Sequence, residues 1–303
     1  MTGFGFHCAR GPRETFEDAA CAFVLEPLLP AAGRATVLGV FDGVCGQAHG
    51  EVASGLSSQH VAERLAAFLA TAELGAPGAG PSSAMVLEAI GAALCSTNDF
   101  LLAKIAEDRA LAGMATTAVV AVLFNNRLHV GWAGDSRCYL DHDGVLEQVT
   151  VDHSEVQALV EAGILTPAEA RFHPLAHVIT ECLGKPSGFA CSTAVRPLSA
   201  GDVVVLCTDG LTDVLDAGDI AAHVAACRRG VCTLADLPVS LVAHALEAGT
   251  GDNTTVLCSQ YQTTTPVPVL RDRTMTGEYP VALAQAGRHI KEHFDANECV
   301  SSL

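Results

Sequence analysis

Apolar residues at the start of the chain fall in short runs that turn-forming residues separate. Three runs have the length of a β-strand: Gly3 to Cys8, Ala20 to Leu25, and Thr36 to Phe41. Two prolines and a glycine between the second and third runs mark a turn. The opening segment is therefore predicted to form short strands.

The pattern then changes to one typical of helices. From Gln47 to about Ala72, apolar residues recur near the spacing of one helix face. Residues 75–81, with the sequence GAPGAGP, are a predicted loop, and a second helix is predicted from Ser83 to Glu107. The pattern thus indicates two long helices in tandem.

Short apolar runs return in the second half of the chain. Asn125-Asn126 is a hairpin turn signal, and Asp141–Gly144 closes the next predicted hairpin. Residues 154–186 are mixed helical and polar, and helices are predicted between the last two strands, to about Ala248. The predicted strands are Thr116–Phe124, Arg127–Ala133, Arg137–Leu140, Phe189–Val195, Asp202–Cys207 and Thr254–Tyr261. Strands, then helices, then strands predict a layered α+β fold rather than a repeated βαβ unit.

The chain becomes polar and proline-bearing after Gln262. A candidate amphipathic helix lies around Pro280–Phe294, without residues that suggest chemistry. We therefore predict one domain over residues 1–262 and a C-terminal tail over residues 263–303. For the tail, a docking appendage and a partly disordered segment both stay open.

Composition narrows the class of protein. The 303 residues include 34 acidic and 17 basic side chains, for a formal net charge of −17, which disfavours a nucleic-acid partner. No apolar run reaches the ~18 residues that cross a bilayer, and the N-terminus lacks the basic-then-apolar pattern of a secretory signal. We expect a cytoplasmic monomer without a membrane partner, and a nuclear location stays open.

The twelve cysteines are scattered along the chain, with no Cys-x-x-Cys pair. Several of them, such as Cys138 and Cys207, lie inside apolar runs, where cysteine usually acts as a small buried hydrophobe. A chain of this size does not depend on disulfides. We therefore expect reduced, structural thiols.

Carboxylates stand beside strand ends and turns at four places. These places are Arg13–Asp18, Phe41–Gly46, Leu206–Gly210 and Gly251–Asn253. Each alone has the composition of an ordinary turn. Strand ends that meet at one rim of a sheet would gather these acids, and such a cluster is repulsive unless cations neutralise it. Ligand sets made only of oxygen favour Mg²⁺ or Mn²⁺ over zinc.

A pair of such cations would give the cluster a hydrolytic function. Two ions about 3.5–4 Å apart can activate a water and stabilise the oxygens of an in-line displacement. Arg13, close in sequence to Glu17, could position a phosphoryl group with its guanidinium. The spacing predicts a two-metal hydrolase of an oxyanion ester and leaves the ester open.

Seven ordered blocks of the chain resemble the metal-dependent protein phosphatase family, often called protein phosphatase 2C. The blocks are Arg13–Asp18, Phe41–Gly46, Gly113–Thr117, Ala133–Arg137, Thr150–Ser154, Cys207–Leu211 and Gly251–Thr254. The resemblance covers roughly residues 3–262 and is nearest to bacterial-type members. It implies a four-layer α-β-β-α sandwich with two central antiparallel sheets. It also implies hydrolysis of phosphoserine and phosphothreonine in proteins with two Mn²⁺ or Mg²⁺ ions and a weaker third.

The resemblance also assigns cation ligands by matching position. Asp42 would bridge both cations, and the carbonyl of Gly43 would face one of them. The second cation would be completed by three further acids, Glu17, Asp209 and Asp252. Asp135 together with Asp209 would suit the weaker third ion.

Three further roles follow from the same resemblance. Arg13 would hold the substrate phosphate, and Asp18 would orient a water at the cations. Asn253 would orient the neighbouring loop rather than bind metal. Residues 154–186 look like the flap of bacterial-type members, where we expect substrate choice to be made.

Two positions depart from the family pattern. Val44 stands where many animal and plant members have a histidine general acid, so water or another group must protonate the leaving group, and His49 is one candidate. Cys45 stands where glycine is usual. It is either a tolerated turn variant or a thiol that makes the site sensitive to oxidation or zinc. In the flap, His173 and His177 are expected to pack or cap rather than to bind metal.

Three functions compete at this point. The first is an active serine/threonine phosphatase, which the intact set of acids favours. The second is a catalytically silent homologue that serves as a binding or regulatory module. The third is a two-metal enzyme acting on a small phosphoester.

Overall fold

Two five-stranded antiparallel sheets form the centre of the computed structural model, which describes residues 3–25, 34–44, 49–72 and 80–262. The strands are β1 (Phe4–Ala9), β2 (Asp18–Leu25), β3 (Ala35–Asp42), β4 (Ala118–Phe124), β5 (Arg127–Ala133), β6 (Arg137–His142), β7 (Val145–Gln148), β8 (Ser192–Pro197), β9 (Val203–Cys207) and β10 (Thr254–Gln260). One sheet has the order β1-β10-β9-β6-β7 and the other the order β2-β3-β4-β5-β8.

Helices cover the outer face of each sheet. The helices are α1 (Gly50–Ala72), α2 (Ser83–Glu107), α3 (Glu155–Glu161), α4 (Pro167–Ala170), α5 (Asp209–Thr212), α6 (Ala217–Arg228) and α7 (Asp236–Glu247), with a 3₁₀ turn at Arg109–Leu111. Leu65 of α1 and Ile90 of α2 share one core cluster with Val120 of β4. Ile220 of α6 and Leu241 of α7 share another with β9.

The two sheets pack face to face between these helical layers. A third core cluster joins Leu38 and Val119 of one sheet to Leu206 and Leu257 of the other. The layers therefore follow the order helix, sheet, sheet, helix. The predicted four-layer α-β-β-α sandwich with two antiparallel sheets is confirmed.

Strand β3 shows why its sequence is apolar without alternation. Val37 and Phe41 belong to the cluster under α1 and α2, whereas Leu38 and Val40 belong to the cluster between the sheets. Successive side chains of a strand point to opposite faces. Because both faces of β3 are covered, every residue of Ala35–Asp42 is buried.

Helix α2 owes its apolar composition to core packing. Ser82 caps its start by accepting a hydrogen bond from the Met85 N–H at 3.3 Å. Among the described residues, α2 is long and apolar enough to cross a bilayer, since an 18-residue stretch of it has a mean hydropathy of 1.3. Its buried residues, among them Ile90, Leu94 and Leu101, lie in the core cluster beneath the sheet.

Several element boundaries differ from those expected. Thr116 precedes β4 because it forms isolated bridges with Gly43 and Leu183 instead of the ladder. Strand β6 continues through Asp141 to His142, so the hairpin closes on Asp143 and Gly144, whose φ angles are 51° and 84°. This is the left-handed conformation that two-residue hairpin turns require.

Two further predictions have different outcomes. Strand β8 begins at Ser192 rather than at Phe189, because the Ala190 N–H bonds the Glu181 side chain at 3.1 Å instead of a neighbouring strand. Helix α1 begins at Gly50, and Cys45 lies outside the described residues. The tail and its predicted helix also lie outside them.

The cysteines behave as expected in the part of the chain that the structure describes. All ten described cysteines are free thiols. Cys138, Cys207 and Cys258 are buried, and burial raises the pKa of the Cys207 thiol to about 12. These thiols pack as hydrophobes rather than as reactive groups.

Candidate metal centre

Acids from distant segments meet where strands of both sheets end. Asp18, at the start of β2, is the direct partner of Asp42 at the end of β3. Asp209 follows β9, Asp252 precedes β10, and Asp135 lies in the turn between β5 and β6. A cavity of about 420 Å³ opens at this rim. It is lined by Arg13, Asp42, Val44, Thr117, Asp135, His177, Ile179, Asp209, Asp213, Gly251 and Asp252.

The sequence-predicted residues divide between the wall of the cavity and the layer behind it. The wall holds five of them, namely Arg13, Asp42, Asp135, Asp209 and Asp252. Glu17, Asp18 and Gly43 are not among the described lining residues and lie behind it. The Gly43 N–H donates to the Glu17 carbonyl at 3.1 Å, which ties this back layer together.

Burial and mutual repulsion raise the pKa values of the acids. Burial, together with the charges of Asp209 and Asp252, raises the pKa of Asp18 to about 7. Burial, and after it the negative charge of Asp213, raises the pKa of Asp209 to about 6. Asp42, 8% exposed, has a pKa well above its usual range, chiefly through burial. A site of this kind holds its charges at neutral pH only when cations compensate them.

Three carboxylate oxygens in this cluster have no hydrogen-bond partner among the described residues. They are Glu17 Oε2, Asp18 Oδ1 and Asp209 Oδ1, all buried. A buried carboxylate oxygen without a donor costs free energy unless a cation takes the place of the donor. The donor set is made of oxygens and fits hard divalent cations such as Mg²⁺ and Mn²⁺.

Two glycines leave room for Glu17 to reach this cluster. A Cβ on Gly50 would lie 2.3 Å from Glu17 Oε2, and one on Gly43 would lie 2.7 Å from the Glu17 carbonyl oxygen. The other carboxylate oxygen of Glu17 accepts from the Thr15 hydroxyl at 2.8 Å. The close approach of backbone and carboxylate explains glycine at both positions.

Arg13 and Asn253 tie the opening segment to the start of β10. Arg13 Nη2 donates to Asp252 Oδ2 at 2.7 Å, and Arg13 Nε donates to the Gly251 carbonyl at 3.0 Å. Asn253 Oδ1 accepts from the Glu17 N–H at 2.7 Å, and its Nδ2 donates to the Arg10 carbonyl at 2.7 Å. The prediction that Asn253 orients the neighbouring loop is confirmed.

Threonines of the family blocks hold the acids in place. Thr116 Oγ1 donates to the Asp42 carbonyl at 2.7 Å, and Thr117 Oγ1 accepts from the Asp42 N–H at 3.1 Å. Thr208 Oγ1 donates to Asp18 Oδ2 at 3.1 Å. Such outer contacts orient ligand groups without contacting a cation themselves.

The turn that carries Asp135 is fixed by a second group of contacts. Arg137 forms a bidentate pair with Asp152, with Nη2 to Oδ2 at 2.7 Å. The Gly134 N–H donates to His153 Nδ1 at 3.3 Å, and the His153 N–H donates back to the Gly134 carbonyl at 2.9 Å. The two blocks Gly-Asp-Ser-Arg and Thr-x-Asp-His therefore act as one structural unit.

The prediction that His177 packs or caps is wrong. Its side chain is 73% exposed, and its Nδ1 lies 3.7 Å from Asp213 Oδ2. Ligand-capable atoms of His177, Asp209 and Asp213 all lie within 4.8 Å of one another. Backbone hydrogen bonds between Val178 and Glu155 and between Thr180 and His153 hold the adjoining chain so that the His177 side chain faces the cavity instead of the core. His173 does cap, since its Nδ1 accepts from the Leu175 N–H at 3.2 Å.

Asp213 is a cavity residue that the sequence analysis missed. It follows Asp209 by four positions across α5, so both carboxylates lie on the same side of that helical turn. The spacing Asp-x-x-x-Asp after a strand was therefore an available signal. His49, by contrast, is not among the described lining residues, and its Nδ1 lies 3.7 Å from Glu51 Oε1.

Sequence comparisons relate the chain to bacterial phosphatases. A family model described as protein phosphatase 2C matches residues 2–159. The serine/threonine protein phosphatase PstP of Mycobacterium tuberculosis is 34% identical over 223 residues, which are 74% of this chain and 40% of that protein. Protein phosphatase PhpP of Streptococcus pneumoniae is 35% identical over 157 residues, 50% of this chain and 61% of the relative. The chain thus spans about half the length of these curated relatives.

Solved structures agree in fold. The crystal structure of the Mycobacterium tuberculosis phosphatase PstP/Ppp has a TM-score of 0.69 at 31% identity and covers 86% of this chain and 99% of its own. The phosphatase Stp1 of Staphylococcus aureus has a TM-score of 0.74 at 26% identity, covering 87% and 96%. A PstP catalytic domain solved in complex with two manganese ions has a TM-score of 0.64 at 29% identity, covering 86% and 99%. By sequence match and fold, the chain belongs to the protein phosphatase 2C family.

Proposed function

We propose that the chain is a metal-dependent protein serine/threonine phosphatase. The observation that carries this proposal is that Asp42, Asp209 and Asp252, from distant segments, line one cavity together with Arg13, and that Asp18 adjoins them as the strand partner of Asp42. Relatives described as serine/threonine phosphatases, one solved with two manganese ions, support the same function.

The residues present fit two Mn²⁺ or Mg²⁺ ions. Asp42 and the Gly43 carbonyl would face the first ion, with Asp42 shared. Glu17, Asp209 and Asp252 would serve the second, and Asp135 with Asp209 would hold a weaker third. When bound, such a pair supplies an activated water and charge neutralisation for the phosphoryl oxygens.

The side chains of this chain then divide the remaining tasks. Arg13 would hold the phosphate with its guanidinium, which already lies in the cavity wall beside Asp252. The Thr208 hydroxyl donates to Oδ2 of Asp18, so Oδ1 of Asp18 would be left to orient a water. Val44 has no proton to give, so the departing alcohol would take its proton from water or another group.

A single assay separates the three candidate functions. Phosphate release from a phosphothreonine peptide is measured with and without Mn²⁺, beside the variant Asp209→Asn. We expect cation-dependent turnover that the substitution lowers at least ~100-fold, given how much a metal clamp stabilises the transition state. Equal rates in both proteins would refute the assignment of the site. Metal binding without turnover would favour the catalytically silent module, and turnover confined to small esters would favour the small-phosphoester enzyme.

The charge of the chain also bears on its substrates. With a net charge of −17 the protein would act on phosphoproteins rather than on nucleic acid, in the cytoplasm and as a monomer. Its place would be in phosphorylation-based signalling.

A further inference from the structure

The flap carries an unusual share of the exposed apolar side chains among the described residues. Ile164, Phe172, Leu175 and Val178 are 67%, 84%, 42% and 41% exposed, and no large apolar residue of the described chain is more exposed than Phe172. Single exposed apolar residues are common on protein surfaces, whereas a concentration of them within residues 164–178 marks a contact surface.

This part of the flap is held in a fixed position. The Glu155 N–H donates to the Val178 carbonyl at 2.9 Å, and the Thr180 N–H donates to the His153 carbonyl at 2.8 Å. Thr166 and Glu169 form a reciprocal capping box at the start of α4. The apolar side chains are therefore presented on an ordered support.

One end of the segment 171–179 lines the cavity, and the other end is bonded to a lining residue. Ile179 and His177 line it directly. At the other end Arg171 Nη2 donates to the carbonyl of Asp213, another lining residue, at 3.2 Å, and Phe172 comes next in the chain. The exposed apolar side chains of residues 172–178 thus lie on a stretch of chain that is attached beside the cavity at both of its ends.

We propose that Phe172, Leu175 and Val178 bind apolar side chains that flank the phosphorylated residue of a protein substrate. The proposal rests on the proposed function, since the phosphate must enter the cavity beside Arg13. A substrate chain in extended form advances about 3.3 Å per residue, so the residues on either side of the phosphorylated one must pass over the rim. The net charge of −17 disfavours acidic flanks and favours basic ones, and the exposed apolar side chains favour apolar residues next to the phosphorylated one.

Two phosphothreonine peptides with identical basic residues test this surface, one with leucine and one with serine next to the phosphothreonine. p-Nitrophenyl phosphate serves as a substrate without flanks. The variant is Phe172→Ser, and the matched control is Val231→Ser, which removes an apolar residue 74% exposed outside the flap.

For the wild type we expect kcat/KM to be about 10-fold higher for the leucine peptide, chiefly through KM, as one buried apolar contact provides. Phe172→Ser should reduce that preference to under about 3-fold, while Val231→Ser keeps it. All three proteins should turn over p-nitrophenyl phosphate alike.

Three other results would overturn the proposal. An unchanged leucine preference in Phe172→Ser refutes the docking surface and leaves the proposed function intact. Concentration-dependent dimerisation that Phe172→Ser abolishes, with the peptide preference unchanged, would assign the surface to a second copy of the chain. Absence of turnover of all three substrates with Mn²⁺ refutes the proposed function itself, and the docking surface with it.

Discussion

Two regions that meet at the cavity differ in how they are built. The floor, as we call the wall residues Asp42 and Asp209 together with Asp18 behind them, consists of carboxylates largely removed from water: Asp18 and Asp42 are 7% and 8% exposed, and Asp209 Oδ1 is buried. The flap, residues 154–186, instead presents apolar side chains such as Phe172 to water. Burial of the floor carboxylates lowers the stability of the fold unless cations compensate their charges. The flap exposes apolar surface to water, which is unfavourable unless a partner covers it.

This difference separates two kinds of function within one site. Removing a floor carboxylate should affect every substrate, because it alters the cations on which the chemistry depends. Removing a flap side chain should affect only substrates that reach it.

The largest effect is expected at Asp42. Asp42→Asn keeps the volume of the side chain but removes the charge that, in our proposal, both cations share, so turnover should fall at least ~1,000-fold on peptides and small esters alike. Initial rates at saturating Mn²⁺ provide the measurement. A loss restricted to peptides would contradict the assignment of Asp42 to the floor.

The next effect concerns stability against pH without divalent cations. Asp18, with a pKa of about 7, and Asp209, with a pKa of about 6, are raised above the ordinary value of 3.8. The folded state then binds more protons than the unfolded state, so these groups lower stability as pH rises from about 4 to about 7, and the loss levels off above that pH. Each unit of pKa shift corresponds to about 1.4 kcal/mol.

Urea unfolding in a chelator, at pH 5 and pH 8, measures this effect. Histidines with lowered pKa, such as His129, work in the opposite direction, so the comparison is made against Asp18→Asn. The wild type should lose more stability between pH 5 and pH 8 than the variant does. An identical pH dependence of stability in both proteins would show that burial does not raise the pKa of Asp18.

A moderate effect is expected at Thr117, a lining residue that is hydrogen-bonded to the Asp42 backbone. Thr117→Val removes the oxygen that accepts the Asp42 N–H, and outer-layer changes of this kind typically cost about 10–100-fold in metal affinity or activity. Thr71→Val, on the exposed face of α1, is the matched control. Mn²⁺ titration of activity should show the loss as a raised half-saturating concentration, and no shift in it would count against the positioning role.

The smallest effect is expected for the stability of flap variants. Phe172→Ser should change the free energy of unfolding by no more than about 0.5 kcal/mol, since an 84% exposed ring has little packing to lose. Leu183→Ala at the base of the flap, fully buried, should cost about 2–5 kcal/mol. Equal losses in the two variants would show that the Phe172 ring is packed in solution.

The same contrast determines what could be predicted from sequence. The floor acids stand at strand ends with local turn signals, so Asp42, Asp209 and Asp252 were located from the apolar runs beside them and from the family blocks. Asp213 could have been predicted in the same way, because it follows Asp209 by four residues. Local pattern is sufficient here because the strands themselves deliver the side chains.

The flap was not predictable in the same way. The direction of His177 depends on backbone bonds between residues 178–180 and 153–155, which no local periodicity encodes. The predicted start of β8 was wrong for a similar reason: the Ala190 N–H donates to the Glu181 side chain and so does not bond a neighbouring strand. Long-range hydrogen bonds override the local pattern in both cases.

The central claim is that distant acids share divalent cations, and a count of bound ions tests it most directly. Equilibrium dialysis against Mn²⁺ should give about two tightly held ions per wild-type chain and fewer than one for Asp42→Asn under the same conditions. A wild-type chain that holds no Mn²⁺, or an Asp42→Asn variant that holds as much as the wild type, would contradict the account.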